Sequence, residues 1–168
     1  MILRYAVLAS RVEAELADVH RAADKAVAAY EHAVQDEIDS TFYLDSIAMN
    51  LHAVYGGIER IFEGIARELD GGLPAGANWH RVLLSQMAID VAGVRPVVVR
   101  QGTAEALDEY LRFRHLVRNL YTWSLDAAKL AELIAGLTPM LNNLDHDLAA
   151  FGRFLDAASH VDEFASSD

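Results

Sequence analysis

The chain has 168 residues, the size of one domain, with a net charge of −11 and no cysteine. The missing thiols exclude a disulfide scaffold, a cysteine-based zinc site and a thiol nucleophile. The acidic balance argues against bulk binding to nucleic acid or to an anionic membrane surface.

In chain order, the first apolar run is too short to span a membrane, and charge returns at Arg11 and Glu13. No basic segment precedes a long apolar run, so a secretory leader is not expected and a cytoplasmic location is. A long first helix is predicted over residues 2–35, with Tyr5, Leu8, Val12, Leu16, Val19, Ala23, Val27 and Tyr30 forming one apolar stripe. Asp39 or Ser40 caps a second helix that runs to residue 69 and stops at Gly71 and Gly72. Its core face includes Phe42, Leu44, Ile47, Leu51, Val54, Ile58, Ile61, Phe62, Ile65 and Leu69. The internal pair Gly56-Gly57 costs about 1 kcal/mol per glycine against alanine and marks a kink or a close helix contact. Glu59, Glu63 and Arg67 read as an ion-pair set on the helix surface.

A loop then leads to a short third helix over residues 79–91, capped by Asn78 and opened by Trp79-His80, where Trp79 either stacks a base or, the favoured reading, anchors the helix to the bundle. A proline-containing irregular connection follows. A fourth helix is predicted after Thr103, taken as its cap, to residue 121. A fifth, capped by Ser124 or Asp126, ends near residue 158, and Pro139 should kink or divide it. No alternating strand pattern of any length occurs. The expected fold is all-α: an up-down bundle of four to five helices with one short extra helix, a single domain over residues 1–160, and an acidic tail, residues 161–168, that frays.

Charge is unevenly spread. Residues 95–118 hold five arginines (Arg95, Arg100, Arg112, Arg114, Arg118) against three acids, while both flanking segments are net negative. Such a strip suits a phosphate chain; alternatively the arginines pair with acids on other helices. At about 100° per residue, Phe113, Leu116, Leu120 and Trp123 make one side of the fourth helix, taken as the core face. Tyr110, Arg114, Arg118 and Tyr121 make another, flanked by His115, Asn119 and Thr122. That second side offers donors almost without acids. Guanidinium forks match phosphate oxygens with paired hydrogen bonds, and Arg114 and Arg118, four apart, can straddle one phosphodiester. Arg112 is a further phosphate-binding candidate.

The stretch Phe113-Arg114-His115-Leu116-Val117-Arg118-Asn119-Leu120-Tyr121 resembles the signature of the HEPN superfamily and, within it, the HepT-like proteins. That signature is an arginine, a polar residue, a histidine five positions after the arginine, and a tyrosine two further on. Arg114, His115 and Tyr121 match it; Asn119 stands where the histidine is expected. The order of segments, a long first helix, a glycine-interrupted second, a short Asn-Trp-His helix and the motif helix, resembles HepT-like proteins over most of the chain. The resemblance implies a HEPN-like bundle that forms a homodimer, with two motif helices lining one cleft. It implies a metal-independent endoribonuclease toxin, neutralised by a nucleotidyltransferase-fold (MNT) antitoxin that in some pairs adds AMP to the motif tyrosine, here Tyr121. Arg114, Asn119 and His115 would then be catalytic, and Arg118 and Arg112 would bind RNA phosphate.

Cleavage by attack of the 2′-hydroxyl on phosphorus needs proton transfer and charge stabilisation, which histidine and arginine supply. Positions five apart on one helix point about 140° apart, so two copies across a dimer axis bring both groups to one phosphate. A carboxamide at position 119 cannot carry protons. Three outcomes stay open: the chemistry moves to His115; catalysis is slow; or the chain is a non-catalytic binding module that complexes with the nucleotidyltransferase-fold partner.

His52 and Tyr55 beside the glycine pair either orient the motif helix, as does Tyr110, or are satisfied packing groups. No Glu-x-x-His pattern occurs, and the neighbours Asp145, His146 and Asp147 diverge on a helix. No metal and no cofactor are expected.

Overall fold

The computed structural model describes residues 3–35, 40–119 and 125–160. These form α1 (Leu3–Gln35), α2 (Ser40–Leu69), α3 (Trp79–Met87), α4 (Gln101–Asn119) and α5 (Ala127–His160). The fold is an all-α bundle, with no strand among the described residues. Leu120, Trp123, Ser124, Asp39 and the tail lie outside them.

α1 and α2 pack along their length, α5 closes on α1, and α4 lies against α2 and α5, with α3 laid across α2 and α4. The apolar periodicity produces one contiguous core. Leu8, Val12, Val19 and Ala23 of α1 meet Ile47, Leu51, Val54, Ile58, Phe62 and Ile65 of α2, all buried. Phe42 departs from its expected core position. Burial on α2 begins at Ile47, so the first turn projects beyond the core and Phe42 is exposed, edge-on to Tyr43. At Gly57 a Cβ would come within 2.6 Å of Val19 Cγ2, so the glycine marks a close helix contact. α2 ends as its glycines require: Gly71 is left-handed (φ +81) and the Gly72 N–H donates back to the Ala66 carbonyl.

Local expectations change at α3 and α4. α3 ends at Met87, and Asn78 makes no side-chain cap bond; its carbonyl accepts the Arg81 and Val82 N–H groups instead. Just past that end lies Arg95, whose buried guanidinium takes the Gln86, Ile89 and Pro96 carbonyls while pairing with both oxygens of Asp70 at 2.6 and 2.7 Å. α4 begins two residues before Thr103. Asp147 of α5 accepts the Arg100 N–H at 2.9 Å and the Thr103 hydroxyl at 2.6 Å, so the helix is capped from across the core. α5 runs through Pro139 without dividing; Asp126 caps it, accepting from Ala128 N–H at 2.9 Å.

Candidate functional site

The buried arc of α4 comprises Thr103, Ala104, Leu107, Tyr110, Leu111, Phe113 and Val117. On a wheel at about 100° per residue this arc is centred near Arg114. The side read as a strip of donors is therefore the inward one. Leu116, expected in the core, is 52% exposed. Tyr110 is not part of a donor strip either. It is buried against α5, its hydroxyl donating to the Leu133 carbonyl at 2.7 Å, and burial with the nearby Glu109 charge pushes its pKa up to about 12.

A guanidinium on an inward face requires a counter-charge, and α2 supplies it. Arg114 Nη1 lies 2.5 Å from Glu59 Oε1, and the other oxygen, Oε2, lies 2.6 Å from His80 Nδ1 on α3. The Glu59 side chain is only 4% exposed, that of His80 11% and that of Arg114 17%. Arg114 Nε is buried without a partner. Glu59 is thus no surface residue, although Glu63 and Arg67 do form the expected surface pair at 3.0 Å. Glu59 is the functional candidate that the sequence reading missed. Its spacing from His52 and Tyr55, seven and four residues, places all three on one face of α2, next to the apolar arc.

Around this carboxylate the site closes. His80 stacks on Trp79 at 3.7 Å and meets His115 edge-on at 5.2 Å. Trp79 is half-buried against the core, which is the anchoring role expected of it. His52 is half-buried, and burial, then the Arg114 and Arg118 charges, lower its pKa against a smaller opposing effect of Glu59. His115 is lowered too, by burial first and then by His80, Arg114 and Arg81, again opposed by Glu59. Tyr55, fully buried, is pushed up by burial and by Glu59.

The remaining arginines separate by role. Arg112 is held by Asp108 and Glu109 of its own helix at 2.6 and 3.6 Å. Arg95 and Arg100 pair with Asp70 and Asp147. Arg118 is exposed and makes no ion pair among the described residues. The alternative of arginines paired to acids outside their own segment thus holds for Arg95, Arg100 and Arg114, while Arg112 pairs within α4. Asn119 closes α4, but its side chain, like the whole of Tyr121, lies outside the described residues. Asp145 and Asp147 point apart, to His20 at 2.8 Å and to Arg100. No group of three metal-ligating side chains gathers among the described residues.

The lowered histidines carry a consequence for stability. A group whose folded pKa lies below its unfolded value of 6.5 stabilises the fold above that pH and loses its contribution as pH falls through the folded value. The urea midpoint is expected to drop as pH falls below about 6.5, and to drop less in a His52→Gln/His115→Gln variant. An unchanged profile would mean that both imidazoles titrate alike in the folded and unfolded chain.

The model of the family described as HepT-like protein matches residues 46–155, a span holding Glu59, His80 and the whole of α4. The chain belongs to the HepT-like family. No curated protein and no solved structure matched the chain. No helix among the described residues is long and apolar enough to cross a membrane. Family membership suggests a HEPN-type, toxin-like function.

Proposed function

We propose that this HepT-like chain is the toxin of a toxin-antitoxin pair and a metal-independent endoribonuclease, acting in the cytoplasm at a cleft between two copies of α4. The observation that supports this best is the Arg114–Glu59–His80 cluster with His52 and His115 beside it. A fixed guanidinium can stabilise the five-coordinate phosphorane. Imidazoles held below their ordinary pKa are neutral near pH 7 and can accept a proton. Arg118, exposed one turn on from Arg114, adds a phosphate contact. A second α4 across a dimer axis doubles these groups around one phosphodiester. The inhibitory partner in this reading is a nucleotidyltransferase-fold antitoxin, with Tyr121 as the acceptor of AMP.

Two observations favour a second reading, a non-catalytic module that only complexes with that partner. Position 119 carries a carboxamide, and Glu59 already compensates the Arg114 charge. Incubating the purified chain with labelled RNA, with and without EDTA, separates the readings. Cleavage that resists EDTA and falls at least about 100-fold in Arg114→Ala is expected for the ribonuclease. Asn119→His should raise the rate. Intact RNA across a broad panel, together with tight binding to a nucleotidyltransferase-fold partner, would establish the binding module instead.

A further inference from the structure

We infer that His80, on α3 and outside the α4 motif, is a catalytic residue of this site: its Nε2 takes the proton that the side chain at position 119 cannot carry. The inference rests on the endoribonuclease reading above and assigns the base within it.

Glu59 fixes the tautomer of His80. An ionised carboxylate only accepts hydrogen bonds, so the His80 nitrogen 2.6 Å from Oε2 must be the donor. Nδ1 therefore carries the hydrogen, and in the neutral ring the lone pair sits on Nε2. Such a carboxylate-imidazole pair selects the tautomer and the ring orientation, as in the hydrolase triads. Two further contacts hold the ring: the Trp79 indole stacks on it at 3.7 Å with the planes 29° apart, and His115 meets it at 70°. Nε2 has no hydrogen-bond partner among the described residues, and the side chain keeps 11% of its surface open. The same carboxylate grips Arg114 Nη1 through its other oxygen, so one side chain sets the spacing between the phosphate-stabilising cation and the base. A ring that served only to fill space would not need a buried charged partner, whose desolvation is costly.

The step balances without a metal. The 2′-oxygen forms a bond to phosphorus as its proton passes to His80 Nε2. The bond from phosphorus to the 5′-oxygen breaks, and that oxygen takes a proton from water. The products are a 2′,3′-cyclic phosphate and a 5′-hydroxyl, and the imidazolium returns its proton to solvent.

The test compares cleavage of one labelled RNA by the full chain, by Arg114→Ala, by His80→Ala and by His80→Gln, each checked by thermal melting. Both His80 variants should lose at least about 100-fold in rate. Glutamine can still donate to Glu59, so its inactivity reports the missing proton transfer and not a lost contact. Free imidazole should restore part of the rate to His80→Ala and none to His80→Gln. A His80→Gln variant that cuts at the wild-type rate, while Arg114→Ala does not, overturns the assignment and leaves the endoribonuclease reading standing. A wild-type chain that cuts no RNA overturns both.

Discussion

Replacing Glu59 with alanine is expected to lower the unfolding free energy by about 3 kcal/mol, at the modest end for breaking a buried ion pair from one side. The side chain is nearly sealed and holds two partners, so its removal strands both the Arg114 guanidinium and the His80 Nδ1–H. Arg114 retains some solvent access, which keeps the cost from rising further. In a chain of this size the melting temperature should fall by about 10 °C. Removing both charges with Glu59→Met/Arg114→Met should recover most of the loss, since the penalty comes from the orphaned charge and not from the absence of the pair. Urea unfolding of the two variants measures this directly. A Glu59→Ala cost under about 1 kcal/mol would show that Arg114 simply turns to solvent, and the site would then not be built around Glu59.

Arg95→Ala is expected to cost as much or more, about 3–5 kcal/mol. Its side chain is completely buried, and it fastens Asp70, the end of α3 and the connection to α4 into one unit. Without it the Asp70 carboxylate keeps only Gln86 as a side-chain donor, at 2.5 Å, the carbonyls of Ile89 and Pro96 lose the guanidinium, and that of Gln86 is left with the Ile89 N–H. The effect should reach the candidate site, because α3 carries His80. Hydrogen exchange at the α3 amides should speed up well before the amides of α1 and α2 respond. Equal acceleration throughout would mean that the pair supports the whole bundle and not the seat of α3.

Much of the architecture was legible in the residues. α1 and α2 match their predicted limits closely because long apolar stripes at three-and-four spacing allow few other structures, and Gly71 and Gly72 end α2 by permitting a backbone other residues avoid. The errors fall at ends and faces. Asn78 does take the N-cap position of α3, through its carbonyl and not its side chain, whereas Thr103 has the right chemistry for a cap but Asp147, more than forty residues later, holds the start of α4. Pro139 removes one hydrogen bond from α5, yet the packing on both sides keeps the helix whole.

The candidate site divides in the same way. Arg114 and His115 stand out in the sequence because they interrupt an apolar helix, and His52 and Tyr55 because they flank a glycine pair. Glu59 does not stand out, since with Glu63 and Arg67 it completes a surface pattern. By itself the sequence determined the helices, their apolar stripes and the presence of a cationic motif on α4, all properties of short-range spacing. Which side of α4 turns inward was decided only by the tertiary structure. A buried arginine is tolerable only where a carboxylate awaits it, and that carboxylate comes from α2, fifty-five residues away along the chain.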